Sequence, residues 1–213
     1  MEIKRLNHDC FKIKTEDGKI IYTDPYKIKK DETADLILIT HDHFDHCSPD
    51  DVKKVAGEKT IIVTNNSCKS KLGAECKKIQ KIVAIEPGES CDADGIKIKA
   101  VHSYNVNKFK SPGNPFHPKG FGIGFIFTAE GKNIYLAGDT DAIPDMKKLG
   151  DIDIALLPVS GTYVMTAEEA ADACNNMIKP KKAIPMHYGD IVGSSRDAEK
   201  FCELVSCETE IVD

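Results

Sequence analysis

The chain lacks most of the features that assign a protein to a class quickly. No apolar run approaches the ~20 residues needed to cross a bilayer, and the opening stretch MEIKRLNHDC has no apolar core of the kind a secretory signal carries. Both absences lead us to expect a soluble, cytoplasmic protein. None of the eight cysteines forms a Cys-x-x-Cys pair, and a chain of 213 residues can bury a sizeable core without disulfide staples. Cys10, Cys68, Cys76, Cys91, Cys174 and Cys202 read as reduced core or surface thiols, and Cys47 as a thiol packed behind the motif it directly follows. A large charge excess is missing too. With a formal net charge of -5, nothing steers the chain as a whole toward long nucleic acid or an anionic membrane, although a local basic patch can still meet a small anion. There is no solenoid-like repeat, no low-complexity tract and no glycine-rich phosphate cradle.

What is present is ordinary globular composition, 41% hydrophobic and 30% charged, which fits one domain over residues 1–213. Cys10 to Thr15 alternates apolar and polar, Asp17-Gly18 supplies a turn, and Ile20 to Thr23 resumes as a strand. Leu36 to Thr40 (LILIT) is a continuous apolar run, as a strand covered on both faces requires. Ser48 caps a helix with Pro49 at its first position and Asp50 and Asp51 in its first turn, and Gly57 ends it. The pattern repeats as a strand over Thr60 to Thr64, a helix over Asn66 to Leu72 and a strand over Ile82 to Ile85. Further strands follow at Ile96 to Val101, at Phe121 to Thr128 and Asn133 to Ala137 as a hairpin across Glu130-Gly131, and at Ile152 to Leu157. Thr166 and Glu169 form a capping box that opens a helix to about Met177. Lys182 to Met186 as strand, Ser195 to Val205 as helix and Glu208 to Val212 as strand close the chain. This distribution suits two sheets packed face to face with helices outside. Lys108 to Lys119 (KFKSPGNPFHPK) reads as a long irregular loop, a common seat of function.

The chemistry concentrates at the end of the LILIT strand, where His41, Asp42, His43, Phe44, Asp45 and His46 form an H-x-H-x-D-H cluster. In extended backbone, side chains two apart project to one side, so His41 and His43 can grip one ion. As the chain turns toward the Ser48 helix, Asp45 and His46 can reach a second. Imidazole nitrogens and carboxylates suit zinc, with manganese or iron as alternatives. A histidine-rich surface loop would be the bland reading, but four potential ligands in six residues after a buried strand argue against it. His102, Asp139 (in Gly138-Asp139-Thr140) and His187 each follow a strand, the end at which open α/β sheets bind ligands. No Ser-His-Asp or Cys-His arrangement competes. Gly120, Gly122 and Gly124 in GFGIGF imply close backbone packing near the site.

This series, H-x-H-x-D-H, then a His, then G-D-T, then a late His, resembles the ligand series of the metallo-β-lactamase superfamily. Tyr22-Thr23-Asp24-Pro25-Tyr26, Ala34-Asp35, LILITHDHFDH, Ala137 to Asp141 and Pro185 to Gly189 look like its sugar-phosphate-lactonase-like branch of small stand-alone hydrolases. The resemblance implies an α/β fold, a four-layer αββα sandwich with a dinuclear site along one edge, holding two divalent ions. It implies that His41, His43 and His102 hold one metal, that Asp45, His46 and His187 hold the other, and that Asp139 bridges. His117 is the alternative third ligand to His102, because part of this branch lacks a histidine at the earlier position. His8 is placed like the family's early G-H pair, with Asn7 in the glycine's place, and is either near the site or structural. Asp24 either orients a ligand or only forms a turn. The implied activity is hydrolysis by a metal-bridged hydroxide, with Asp45, Asp139 and His187 closest to the chemistry as ligands. A small anionic ester, lactone or phosphodiester is the expected substrate, met by Lys108, Lys110 and Lys119 with Tyr104 and Asn105, unless those lysines are only solvated. A non-catalytic metal-binding or regulatory protein on the same scaffold is the alternative of another class. Homo-oligomerisation stays open.

Overall fold

The computed structural model describes residues 1–76 and 79–212. The front of the chain builds a six-stranded sheet from β1 (Glu2–Asn7), β2 (Cys10–Lys14), β3 (Ile20–Thr23), β4 (Leu36–Leu38), β5 (Ile61–Thr64) and β6 (Lys81–Ala84), in that spatial order. The first three strands pair antiparallel, and β3 through β6 run parallel. Parallel neighbours need crossover connections, and α1 (Pro49–Val55) and α2 (Asn66–Glu75) supply them. Ser48 accepts from the Asp51 amide and Asn65 from the Cys68 amide, so each helix starts on a side-chain cap.

The back of the chain repeats the plan. Its seven-stranded sheet contains β7 (Ser90–Ala93), β8 (Ile96–Ser103), β11 (Gly122–Ala129), β12 (Lys132–Leu136), β13 (Ile154–Pro158), β14 (Lys182–Met186) and β15 (Glu208–Thr209). The small hairpin β9 (Phe109–Ser111) and β10 (Asn114–Pro115) stands apart from both sheets. Strands β7, β8, β11 and β12 are antiparallel and β12 to β15 parallel, with α3 (Ala167–Ala173) and α4 (Ser195–Leu204) as crossovers. The β11–β12 hairpin turns through Glu130 and Gly131, both at positive φ, the arrangement a two-residue turn needs.

Two apolar clusters define the layers. Phe11, Ile13, Ile21, Leu36, Leu38 and Val63 of the first sheet join Phe125, Phe127 and Leu136 of the second in one core. Ile37, Ile39 and Ile62, on the alternate positions, pack with Val52, Val55, Cys68 and Leu72 of α1 and α2. This is the αββα sandwich. The cysteines form no disulfide among the described residues, and no helix among them is long and apolar enough to cross a membrane.

Several boundaries differ from expectation. The LILIT strand stays in its ladder only to Leu38, because Thr40 turns its amide to the Asp24 carboxylate. The Thr166 helix keeps its capping box but passes into a π-helical turn, Cys174–Ile178, that ends at Lys179 in the left-handed region. The first helix stops at Val55, ahead of Gly57. The loop expected over Lys108 to Lys119 contains the β9–β10 hairpin, with Gly113 at φ +76° in its turn. Strands β1 and β7 carry too much charge and exposure for their pattern to show, and pairing with β2 and β8 creates them.

Candidate metal centre

The parallel strands β4, β12 and β14 end toward one rim of the sandwich, and the chain beyond each supplies His41, Asp139 and His187. Close packing lets the two sheets meet there. A Cβ on Gly122 would lie 3.2 Å from the His41 Cβ, and one on Gly124 would lie 2.9 Å from the carbonyl oxygens of Leu136 and Ala137. Gly138, at φ +65°, sits between the Ile123 carbonyl and the Ser103 and Thr40 side chains.

Three ring nitrogens converge on one point. His41 Nε2 is 3.1 Å from His43 Nδ1, which is 3.2 Å from His117 Nε2. Adjacent nitrogens around a tetrahedral zinc, with Zn–N near 2.0–2.1 Å, are roughly 3.3 Å apart. A second group brings donor atoms of His8, Asp45, His46 and His187 within 4.8 Å of one another. Asp139 stands between the groups, with Oδ2 at 3.3 Å from His117 Nε2 and 3.2 Å from His187 Nε2, and Oδ1 at 3.3 Å from His46 Nε2. Asp9, His46, Asp139 and His187 form a third, overlapping set.

Hydrogen bonds behind the rings fix which nitrogen faces inward. Asp24 accepts from His46 Nδ1 at 2.8 Å and from the Thr40 hydroxyl at 2.7 Å, and that hydroxyl lies 3.0 Å from His41 Nδ1. Asn105 Oδ1 accepts from both the amide and Nδ1 of His117 at 2.8 and 2.9 Å. Ser160 Oγ is 2.9 Å from His187 Nδ1. Each ring so held keeps its Nε2 for the centre, the usual way a metal-binding imidazole is oriented. Despite their nearness to Asp139, buried His46 Nε2, His187 Nε2 and Asp139 Oδ1 make no hydrogen bond among the described residues. Buried polar atoms are rarely left this way without a ligand to complete them. The donor groups therefore fit divalent metal.

The electrostatics agree. Burial alone would raise the Asp139 carboxyl, but His187, His46 and His117 hold it well below the usual range. Burial also opposes charge on His46, yet Asp139 and Asp24 lift it well above an ordinary histidine. Burial pushes His41 and His43 down, and His117 to about 4. His41, His43 and His117 thus present neutral imidazoles near pH 7, the form that binds metal. His8, Asp24 and His187 lie at φ 43°, 34° and 61°, a conformation uncommon outside glycine that gathers at functional sites.

Of the residues singled out from sequence, His41, His43, Asp45, His46, Asp139 and His187 come together, with His8 and Asp24 beside them. His102 does not. Strand β8 continues to Ser103, so His102 is paired within the ladder opposite Ile123 instead of following the strand's end. Its ring contacts Tyr104 and it belongs to neither group; His117, from the loop, takes the position instead. Asn105 is buried behind His117, and Tyr104 donates to Asp145. Lys108 is paired with Glu169 at 2.7 Å, Lys110 lies over the Phe116 ring, and Lys119 over the Tyr104 ring. Sequence reasoning missed Ser160, Thr40 and Asp9. Only the adjacency of Thr40 to His41 and of Asp9 to His8 could have flagged two of them.

A fold and a rim of this kind define a class. Residues 2–187 match the model of the β-lactamase superfamily domain. A UPF0173 metal-dependent hydrolase of Pyrococcus abyssi is 33% identical over all of this chain and 95% of its own length. Another from Thermoplasma acidophilum is 35% identical over 91% of this chain and 86% of its own. The crystal structure of a Parabacteroides distasonis protein to which metal-dependent hydrolysis is ascribed superposes with a TM-score of 0.84 at 33% identity, covering 98% of this chain and 91% of that one. The chain belongs to the β-lactamase superfamily and, within it, to the UPF0173 metal-dependent hydrolases.

Proposed function

We propose that the protein hydrolyses a small ester, lactone or phosphodiester at a dinuclear centre. His41, His43 and His117 hold one cation, Asp45, His46 and His187 the other, and Asp139 lies between them. The observation that carries this reading is the clustering of ring nitrogens on both sides of one buried carboxylate, with His46 Nε2 and His187 Nε2 left without a hydrogen-bond partner among the described residues. Divalent cations held there, most simply zinc, supply Lewis acidity and lower the pKa of water toward neutrality.

The chain's own contribution is orientation and exclusion of solvent. Asp24, Asn105 and Ser160 keep the imidazoles in the tautomer that leaves Nε2 free. Asp45 and Asp139 balance the cation charge and act as ligands, with no separate general-base role. His8, whose Nε2 is 3.4 Å from Asp45 Oδ2, lies beside that carboxylate within the same donor group.

Substrate recognition falls to the loops around the rim. Phe44, inside the histidine cluster, and Val106 and Phe109, in the segment leading to His117, are 64%, 46% and 44% exposed. They are three of the few large apolar side chains left in solvent and offer contact to the non-reacting part of a substrate. With Lys108 neutralised by Glu169, Lys110 and Lys119 remain to meet an anionic group, and Lys119, over the Tyr104 ring, is the one we assign to it.

Metal analysis together with turnover of a panel of small lactones and phosphodiesters tests the proposal. His43→Ala and Asp139→Ala are expected to abolish hydrolysis and to lower metal content. Wild-type turnover in either variant would overturn it. Lys119→Ala is expected to raise KM for an anionic substrate with little change in kcat; an equal KM would remove the lysine from recognition.

A further inference from the structure

The histidine that does not join the metal centre opens onto a cavity of its own. A space of about 160 Å³ lies beneath the 3-10 turn Pro144–Lys148, against β8 and β12. Its polar lining is Lys99, His102, Tyr135, Asp145 and Lys148. Tyr135 is fully buried, yet its hydroxyl has no hydrogen-bond partner among the described residues, and neither has the buried His102 Nδ1. Leaving such groups unpaired costs free energy, and two of them on one cavity mark a place where a ligand completes the structure.

The lining also limits the ligand's chemistry. Burial raises the Tyr135 phenol, so its hydroxyl stays protonated and donates. Lys99 and Lys148 are exposed and bring two positive charges to the mouth. Asp145 is the only acidic residue on the lining among the described residues, and it already accepts from the Tyr104 hydroxyl at 3.1 Å. The excess is of donors and positive charge. The remaining wall is apolar, with Met146, Leu149 and Val101. In size the space is comparable to an engineered cavity of about 150 Å³ that accepts benzene.

We propose that this cavity binds a small monocarboxylic acid, its apolar part against Met146 and Leu149 and its carboxylate taking the Tyr135 hydroxyl, His102 Nδ1 and the two lysines. The site is distinct from the metal centre, since none of its residues belongs to either donor group. It is nonetheless connected to it. Tyr104, whose hydroxyl meets Asp145 and whose ring contacts His102, exchanges hydrogen bonds through its backbone with Thr140 and Asp141, next to Asp139.

Titration of the full chain with benzoate, followed by ligand-observed NMR and calorimetry, tests the assignment. Saturable binding is expected, weakened about five- to tenfold by Tyr135→Phe, as loss of one buried hydrogen bond implies, and unchanged by His43→Ala. His102→Gln is a second variant with the same expected direction. Neutral benzamide should bind more weakly than benzoate. Absence of binding up to about 20 mM, a range that reaches even weak fragment affinities, would overturn the proposal. So would equal affinity for benzamide, or binding that survives Tyr135→Phe but disappears in His43→Ala, which would move the ligand to the metal centre.

Discussion

The choice between His102 and His117 is made by single hydrogen bonds and ring orientations, so its consequences appear at single residues. His117→Ala is expected to lose metal at the His41–His43 side, whereas His102→Ala should retain the wild-type content. Elemental analysis after dialysis separates the two, and equal loss in both would contradict the geometry. Asn105 acts through His117, because its Oδ1 takes both the ring Nδ1 and the backbone amide. Asn105→Ala frees the ring to rotate and should weaken metal affinity about 10–100-fold, the usual cost of removing such a partner. Chelator competition measures it, and restoration by Asn105→Asp, which keeps the acceptor, would distinguish orientation of the ring from general disruption of the loop. The proposed ligands stood out in the sequence because H-x-H-x-D-H concentrates four candidate donors in six residues. The partners Asn105 and Ser160 were not, since an asparagine and a serine become informative only when a distant chain segment sets a histidine beside them.

Elements place those residues, and two of them make sharp predictions. Strand β11 approaches β12 and the loop beyond it so closely that Gly124→Ala would put a Cβ 2.9 Å from two backbone carbonyls. Overpacking of this kind costs about 1–3 kcal/mol, which a denaturant titration would read as a lower midpoint at unchanged slope. Helix α1 is anchored by Asp51, whose carboxylate accepts from the Ser48 hydroxyl, the Ile28 amide and the Lys54 ammonium. Burial would raise its pKa, but Lys54 and Ser48 bring it below the ordinary carboxylate value. A carboxyl depressed on folding contributes stability above its unfolded pKa, near 3.8, and loses it as pH falls through the lower, folded value. Asp51→Asn should therefore lower stability at neutral pH and flatten its decline below about pH 4; parallel acid-unfolding curves for variant and wild type would refute the assignment. At this scale the sequence told strands from helices well, because apolar runs, caps and turn glycines are local signals. It misjudged where β8 stops. The alternation in IKIKAV breaks at His102, but the ladder to β11 runs on to Ser103, and that register depends on residues some twenty positions away.

For the whole molecule, the proposed centre would also clamp the two sheets together. His41, His43, Asp45 and His46 follow β4 in the first sheet, while Asp139 and His187 follow β12 and β14 in the second. Cations shared across that seam in the proposed way would bind the assembled sandwich in preference to the unfolded chain and so stabilise the fold by mass action, by up to about 4 kcal/mol when free metal exceeds the dissociation constant 1,000-fold. Without them, Asp139 has only the imidazoles of His46, His117 and His187 beside it, and His46 only Asp24 and its neighbouring carboxylates, in a dry interior, a weaker arrangement than direct ligation. Removing metal with a chelator is therefore expected to lower the Tm, and adding zinc back to restore it in a concentration-dependent way. Asp139→Asn should remove most of that metal-dependent increment, since the Asp139 carboxylate lies beside nitrogens of both groups. A variant confined to the outer helices, such as Thr166→Ala, should lower the Tm through loss of its cap, worth about 1 kcal/mol, while leaving the increment intact. Were the increment the same in Asp139→Asn as in wild type, the cations would be held on one sheet only, and the seam would not be what orders the ligands.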